Sequence, residues 1–428
     1  MKALRSMEAD VLVCGGGVAG TMAAIAAARH GARVLLVERY GFLGGNATAG
    51  AVAQFNSWQT ESGRRVIGGL AQEVVDRLRA LGAAADHEVF VMSTGHLMDR
   101  VEYAPEILKM VLDEMVTSAG VQLLLHASVL DVERSGQRID AVQVLTKGGV
   151  LRLAATTVID ASGDIDVLYR AGAQFLELGG TERMQPATMM FRFGPIDFDR
   201  FGALTSQEIN TLAARGYEQG ALARAALHSA REPFSSDGWF NISRLAVDAT
   251  DPLALSQAET EGRRQAWRAA EYLRTSVPGC EQGRLRQFGT QVGIRETRRL
   301  HGDHVLTAEE LLQPVKFEDA IAAGAYPIDI HPAAGGELIY QAMGKDHAYQ
   351  IPLRSLLPLG LDNALAVGRG VSATHSALAA IRVMTISMAV GQACGTAAAL
   401  SIRAGCCPRD LPLTELRTTL LNDGACLA

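Results

Sequence analysis

Three glycines near the N-terminus, Gly15, Gly17 and Gly20, have the spacing Gly-x-Gly-x-x-Gly and separate a short apolar run from an alanine-rich segment. The apolar run has no polar face, which is typical of a buried parallel strand. The segment 21–30 contains neither Pro nor Gly and predicts a helix, and a second apolar run follows at 34–37. Strand, glycine turn, helix and strand within about thirty residues predict an α/β fold with a parallel sheet.

Each part of this unit suits the binding of a dinucleotide. Gly15 permits a tight turn, Gly17 lets the backbone approach a pyrophosphate, and Gly20 lets the helix pack closely on the strand. The helix N-terminus directs free N–H groups and a partial positive charge at the phosphates. Glu38 ends the second strand, where its carboxylate can accept both ribose hydroxyls of an adenosine and would repel a 2′-phosphate. The alternative is a glycine-rich loop in an unrelated α/β domain.

Length and charge narrow the class of protein. The 428 residues suffice for two domains or one large discontinuous domain. The net charge of −6, without any run of Lys and Arg, argues against nucleic acid as the main partner. The first strand begins by about residue 10, which leaves no room for a signal peptide, and Arg382 interrupts the longest apolar stretch. We expect a cytoplasmic protein with a small-molecule substrate and no membrane partner, and a homo-oligomer stays open.

The cysteines predict no metal site and no disulfide. None of the six forms a Cys-x-x-Cys pair, and none has a His or Cys at zinc spacing. We expect reduced structural thiols, with Cys14 as a small packing residue at the end of the first strand.

Periodic patterns continue along the chain and divide it into parts. Helical spacing predicts helices at 69–81, 105–119, 206–230 and 256–276. Apolar runs between turn residues predict strands at 122–126, 129–133, 139–145, 150–154 and 157–160. The middle of the chain is richer in Arg, Trp and Phe, and a buried strand, a glycine turn and a long helix then return. We predict a dinucleotide-binding domain in two parts, 1–184 and 349–428, interrupted by a substrate or cap domain at 185–348.

The chain resembles the FAD-dependent oxidoreductases of the glutathione-reductase superfamily and is distantly similar to fumarate reductase and succinate dehydrogenase flavoproteins. The segments that carry the resemblance are DVLVCGGGVAGTMAAIAAARHGARVLLVE, GFLGGNATAG, TTVIDASGDIDVLYRAGA, QVGIRETRRLHGDHVLT, YPIDIHP and the long run from IPLRSLLPLG to GQACGTAAAL. The resemblance implies a Rossmann-like FAD-binding domain of the glutathione-reductase type with an inserted α+β substrate or cap domain. No second Gly-x-Gly-x-x-Gly follows, so we expect no separate NAD(P)H domain.

The glycine turn and the resembling segments together assign a set of residues to FAD, which we expect to bind non-covalently. By resemblance, Gly368 and Arg369 lie near the pyrophosphate and ribitol, and the last helix directs its N-terminus at the flavin pyrimidine edge. Arg382 near that helix start would add a full charge, and the alternative for it is a surface arginine on a helix. The whole set is Gly15, Gly17, Val18, Ala19, Gly20, Glu38, Arg39, Gly44, Gly45, Asn46, Ala47, Thr48, Ala161, Gly163, Asp164, Gly368, Arg369, Ser372 and Arg382.

Arg295, Arg298 and Arg299 form a cluster of like charges with i, i+3 and i+4 spacing, and they share one face if the segment is helical. Such a cluster calls for an anion, which could be Glu296 and Asp303, the FAD phosphates or the substrate. We assign Arg295 and Arg298 to substrate binding, and Arg298 also to the catalytic residues. The alternative is a structural network of salt bridges.

Two histidines are candidates for a catalytic base. His331 lies between two prolines, and His375 lies between the last glycine turn and the last helix, which resemblance places near the flavin. Either could remove a proton while a hydride passes to flavin N5, because His titrates near neutral pH. Tyr326 and Tyr349 are weaker candidates. The alternative for each histidine is a satisfied polar residue.

The sequence thus favours an FAD-dependent dehydrogenase or reductase that acts on a small polar metabolite. A flavin monooxygenase and a non-catalytic FAD-binding protein are the alternatives. The substrate, the direction of the reaction and the electron acceptor stay open.

Overall fold

A computed structural model of the protein describes residues 5–91, 97–177, 184–331 and 339–428. Its strands are β1 Arg5–Cys14, β2 Val34–Val37, β3 Gln54–Asn56, β4 Glu88–Val91, β5 Leu97–Glu102, β6 Gln122–Leu124, β7 Ser128–Ser135, β8 Arg138–Thr146, β9 Gly149–Asp160, β10 Phe191–Gly194, β11 His228–Arg231, β12 Gly238–Asn241, β13 Arg284–Phe288, β14 Ala320–Gly324, β15 Ile328–Ile330, β16 Ile339–Gln341, β17 Tyr349–Pro352 and β18 Ala364–Ala366. Its α-helices are α1 Val18–Arg29, α2 Gly69–Ala80, α3 Pro105–Ser118, α4 Asp166–Arg170, α5 Phe198–Gly202, α6 Ser206–Glu218, α7 Pro252–Ser276, α8 Ala308–Leu312, α9 His375–Ile381, α10 Met384–Ala404 and α11 Leu413–Asn422.

The main sheet has the order β6-β2-β1-β9-β8-β7, in which the pairs from β6 to β9 are parallel and β7 pairs antiparallel with β8. Beyond β1, two strands share the other edge of β9: β8 pairs antiparallel with its first half, and β18 pairs parallel with its last three residues. Residues 11–14 of β1 are fully buried, as the absence of a polar face predicts. Because Asp160 pairs with both Cys14 and Ala366, distant parts of the chain end at one edge of the sheet. The predicted α/β fold with a parallel sheet is confirmed.

Helix α10 packs against α1 with their backbones in contact. A Cβ on Gly391 would lie 2.2 Å from the carbonyl oxygen of Ala19, and a Cβ on Gly395 would lie 2.0 Å from that of Ala23. Glycine on one helix and alanine on the other therefore permit the close approach. Of the most apolar stretch of α10, 89% is buried inside the protein, so a helix long and apolar enough to cross a membrane serves here as core.

A second sheet has the order β11-β12-β10-β13 and is antiparallel throughout. Its side chains form an apolar core with α7 that is separate from the core around α1 and α10 and includes Phe191, Phe193, Phe240 and Leu273. Three smaller sheets, β3-β5-β4, β14-β17 and β15-β16, complete the strand pairing of the described residues.

The structure corrects several predicted elements. The strands predicted at 150–154 and 157–160 are the single strand β9, because half-exposed residues interrupt its apolar run while Ala155 keeps its pairing with Ala9. The helix predicted at 206–230 ends at Glu218, since Gly220 has a left-handed φ of 68°, and β11 follows within the predicted range. The single long helix predicted near the C-terminus is divided into α9 and α10.

Candidate functional site

Two positions of the turn between β1 and α1 require glycine, and a third glycine, Gly17, has free space beside it. Gly15 has φ of +113°, and a Cβ there would lie 2.2 Å from the carbonyl oxygen of Ala161. A Cβ on Gly20 would lie 2.0 Å from the carbonyl oxygen of Gly15. Around Gly17, the residue before α1, no atom lies within 4 Å of a built Cβ. The first turn of α1, which includes Val18 and Ala19, has neither an acidic residue nor a side-chain cap. Its N–H groups are free to bind an anion.

Glu38 lies at the end of β2, buried against this turn. Its Oε2 accepts a hydrogen bond from the backbone N–H of Gly16 at 2.6 Å, and its Oε1 accepts one from that of Tyr40 at 2.9 Å. Two N–H donors hold the carboxylate in place, and its remaining lone pairs can accept ribose hydroxyls. The next side chain, Arg39, donates from Nη2 to Oε1 of Gln291 at 2.8 Å.

The loop after β2 packs on the same turn. Gly44 and Gly45 both have left-handed φ, and the N–H of Gly44 donates to the carbonyl oxygen of Gly16 at 2.8 Å. Asn46 donates from Nδ2 to the carbonyl oxygen of Ile294 at 3.0 Å, and Thr48 donates from Oγ1 to that of Leu43 at 2.6 Å; Ala47 is fully buried. The loop thereby lies between the glycine turn and the segment that begins at Gln291.

The ends of β9 and β18 meet through an ion pair. Oδ1 of Asp164 accepts hydrogen bonds from Nη2 of Arg369 at 3.0 Å and from Oγ1 of Thr297 at 2.7 Å. Burial by itself would raise the pKa of Asp164, but the Arg369 charge and these hydrogen bonds lower it. Arg369 covers Gly163, where a Cβ would lie 2.6 Å from its Nη2, and Gly368 beside it has φ of 77°. Ser372 is fully buried, and its Oγ accepts a hydrogen bond from the N–H of Gly302 at 3.0 Å. This hydroxyl therefore joins two distant segments of the chain.

His375 is the first residue of α9 and is only 9% exposed. Its Nδ1 lies 2.9 Å from Oε2 of Glu296, whose side chain is inaccessible to solvent. Arg299 lies on the other side of that carboxylate, with Nε 3.3 Å from Oε1. An ionised Glu296 places the proton of the neutral imidazole on Nδ1 and leaves Nε2 as an acceptor.

The three arginines predicted on one helical face do not share one. The segment 293–300 contains no helix, and its side chains reach different parts of the protein. Arg298 donates to the carbonyl oxygen of Asp164 at 3.1 Å, lies 3.2 Å from Oδ1 of Asp166, and packs over the ring of Tyr169 at 4.1 Å. The contacts of Arg298 therefore agree with the alternative interpretation of the sequence, in which the arginines form a structural network of salt bridges.

Arg295 lies beside Arg382 instead. Arg295 donates from Nη1 to the carbonyl oxygen of Pro186 and, at 2.8 Å, to Oγ1 of Thr188. Arg382 donates from Nη2 to Oε1 of Gln185 at 3.0 Å. Because Gln185 and Pro186 are consecutive, the two guanidinium groups are neighbours. Burial, followed by the charges of Arg382 and a third arginine, lowers the pKa of Arg295 to about 9.

His331 belongs to the same neighbourhood; the second of its flanking prolines lies outside the described residues. Its Nε2 lies 3.4 Å from Oδ2 of Asp329, which also accepts a hydrogen bond from the hydroxyl of Tyr326 at 3.0 Å. Burial lowers the pKa of His331 to about 4 despite the carboxylate. The hydroxyl of Tyr349 donates to the carbonyl oxygen of Tyr326 at 3.2 Å, and burial raises its pKa.

Sequence reasoning missed two residues of this neighbourhood, Arg224 and His228. Arg224 donates from Nη2 to the carbonyl oxygen of Asn241 at 2.5 Å. Solvent reaches His228, yet burial, followed by the positive charge of Arg224, lowers its pKa to about 3. A side chain that solvent reaches although protein surrounds it lies in a recess of the protein, which we call the cavity. The sequence signal for this neighbourhood was the composition of the middle segment, which does not identify individual residues such as Arg224 or His228.

The parallel sheet, the open glycine turn and the buried carboxylate at the end of β2 define a dinucleotide-binding protein. Sequence comparison gives the family: the chain belongs to the FAD dependent oxidoreductase family, whose profile matches residues 10–420. The protein is thus an oxidoreductase with FAD as its cofactor. The site fits FAD, because the space beside Gly17 admits a pyrophosphate and Glu38 can accept from an adenosine ribose.

Solved structures with low sequence identity resemble the fold. A geranylgeranyl bacteriochlorophyll reductase-like protein from Thermoplasma acidophilum is 12% identical with a TM-score of 0.49, covering 98% of this chain and 85% of the other. The p-nitrophenol 4-monooxygenase PnpA from Pseudomonas putida is also 12% identical with a TM-score of 0.49, covering 99% and 87%. The search of curated proteins found no match.

Proposed function

We propose that this flavoenzyme is a dehydrogenase or reductase in which a hydride passes between a small polar metabolite and flavin N5. The observation that carries the proposal is the buried pair of His375 and Glu296, in which the carboxylate holds Nδ1 and leaves Nε2 free to exchange a proton. Bound FAD supplies the hydride acceptor or donor. Oxidation of a C–H beside an oxygen also releases a proton, for which a positioned base is needed.

We further propose that the cofactor domain is of the glutathione-reductase type and that residues 185–348 form an inserted substrate or cap domain. The separate antiparallel sheet and separate apolar core within this range support the proposal. FAD would be held non-covalently by the turn around Gly17, by Glu38, by the loop 44–48 and by the segment around Arg369.

The surroundings of His375 suit a proton acceptor. When Nε2 takes a proton, the imidazolium is stabilised by the carboxylate of Glu296 at 2.9 Å. Arg299 contacts the same carboxylate, with its Nε 3.3 Å from Oε1, and helps to hold it in place. His331 is less suited to the role, since a base whose conjugate acid has a pKa of about 4 binds a proton weakly at neutral pH.

Anaerobic reduction of the flavin tests the proposal. Purified holoenzyme is mixed with a panel of alcohols, amines, amino acids and hydroxy acids, and loss of absorbance at about 450 nm identifies a reducing substrate. With that substrate, we expect His375→Ala to slow flavin reduction by about 10²–10⁴-fold while FAD stays bound. His331→Ala is the comparison variant and should slow flavin reduction far less than His375→Ala, short of the loss of a base.

Four outcomes contradict parts of the proposal. Unchanged reduction in the His375 variant together with slow reduction in the His331 variant would exchange their roles. Normal rates in both would show that the proton leaves by another route. A flavin that only NAD(P)H reduces would favour a monooxygenase, and one that nothing reduces would favour a non-catalytic flavoprotein.

A further inference from the structure

Three arginines meet in the cavity that His228 lines, and neutral groups hold all of them. Arg224 binds the carbonyl oxygen of Asn241, Arg295 binds Pro186 and Thr188, and Arg382 binds Gln185 and, at 3.5 Å, the carbonyl oxygen of Asp329. Many other arginines of the protein form ion pairs, but within the described residues no carboxylate lies within ion-pair distance of these three. Charges enclosed by protein are ordinarily paired, and among the described residues these three guanidinium groups have no ion-pair partner.

Hydrogen-bonding atoms in the cavity also lack partners. Nε of Arg224, Nε of Arg382 and Nε2 of Gln185 are buried donors that have no acceptor among the described residues. Buried donors without acceptors destabilise the folded protein unless a ligand or water satisfies them. An oxyanion offers several acceptor lone pairs to such donors.

The remaining titratable groups leave the cavity positive at about pH 7. His228 and His331, with pKa values of about 3 and about 4, are neutral there. Among the described residues, Asp329 is the carboxylate whose charge acts on all three arginines, and a single negative charge does not balance three positive ones. Tyr326 and His331 bind its Oδ2, whereas its buried Oδ1 has no hydrogen-bond partner among these residues. Repulsion adds to burial in lowering the pKa of Arg224 to about 10, with Arg244 as the cation that contributes.

We propose that this cavity binds the carboxylate of the substrate, so that the enzyme acts on a small organic acid. The inference rests on the proposed function, of which it names the substrate class. Gln185 connects the two sites, since its side chain accepts from Arg382 and its backbone N–H donates to Oε2 of Glu296 at 3.3 Å. Gln185 therefore contacts both Arg382, which would hold the acid, and Glu296, the carboxylate that orients His375. An acid bound by Arg295 and Arg382 would lie close to His375. An amine would meet three guanidinium groups and one carboxylate, so acids without an amino group are favoured.

Calorimetric titration of the holoenzyme tests the cavity without any turnover. The probes are glycolate and malonate, each paired with its neutral amide, glycolamide or malonamide. We expect at least one acid to bind and both amides to fail. We expect Arg295→Gln and Arg224→Gln each to weaken binding of that acid by about 10- to 100-fold, the loss of a charge-assisted contact. Arg264→Gln, at an exposed position on α7, is the matched control and should leave the affinity unchanged.

The outcomes separate this inference from the proposed reaction. Equal binding of acid and amide, no binding of either acid up to about 10 mM, or unchanged affinity in both variants would overturn the carboxylate assignment. Binding of inorganic phosphate without binding of either acid would also overturn it. If an acid binds as expected but no acid reduces the flavin, the assignment of the cavity to a carboxylate is supported and the proposed reaction is contradicted. The comparison of acids with amides needs no variant, so a variant that does not fold leaves the test intact.

Discussion

Substitution of Gly17 by valine separates cofactor binding from folding. Gly17 has φ of −65° and ψ of 173°, which any residue adopts, and nothing lies within 4 Å of a Cβ built there. The folded protein therefore accommodates the side chain. Glycine is moderately favoured and valine disfavoured before a helix, so we expect a loss of about 1 kcal/mol or less in the free energy of unfolding of the apoprotein.

The effect on FAD is expected to be much larger. The valine occupies the space through which a pyrophosphate reaches the N–H groups of α1. Loss of one or two charge-assisted hydrogen bonds, at about 1.5–3 kcal/mol each, weakens FAD binding by about 10- to 10⁴-fold. Titration of apoprotein with FAD, followed by quenching of flavin fluorescence, measures the affinity, and urea unfolding measures the stability.

Gly20→Val is the matched variant with the opposite expectation. Its Cβ would lie 2.0 Å from the carbonyl oxygen of Gly15, so the backbone must move and the apoprotein itself is destabilised by about 1–3 kcal/mol or more. The reasoning is refuted if Gly17→Val binds FAD like wild type, or if it unfolds as easily as Gly20→Val.

Three further outcomes are expected. Acid precipitation of the wild-type holoenzyme should release all the flavin, and colour left in the pellet would show a covalent link. Gly395→Ala, which brings a Cβ to 2.0 Å from a carbonyl oxygen of α1, should lower the unfolding midpoint, whereas Gly202→Ala, with free space around it, should leave the midpoint unchanged or raise it. Burial raises the pKa of Asp99 from 3.8 to about 6, so its protonated form favours the folded state, and that contribution is lost as the pH rises from about 4 to about 6. Relative to Asp99→Asn, the wild type should lose up to about 3 kcal/mol of unfolding free energy between about pH 4 and pH 7 in urea titrations.

The parts of the site that one local motif forms were predictable from the sequence. The glycine turn and Glu38 belong to a single strand-turn-helix-strand unit, whose geometry follows from short-range rules. The register Cys14–Asp160–Ala366 also brings the segments after β9 and β18 to the expected edge.

The cationic cavity was not predictable, because it depends on contacts between distant segments. Arg224 follows a helix that was predicted too long, and its position is set by pairing between β11 and β12. The spacing of Arg295 and Arg298 indicated a common face only for a helix. In the extended backbone that the structure shows, neighbouring side chains point in different directions, and the two arginines reach different sites.

The shared edge of β9 has a consequence for how the protein is made. β1, α1 and β2 leave the ribosome before β18 and α10, which complete the sheet edge, cover α1 and lie more than 300 residues further along the chain. At about 5–20 residues per second the interval is on the order of tens of seconds. During that time the apolar surface of α1 and one edge of the sheet have no permanent cover. The nascent chain is then open to chaperones, and a ribosome that stalls before α10 leaves a product that quality control can recognise.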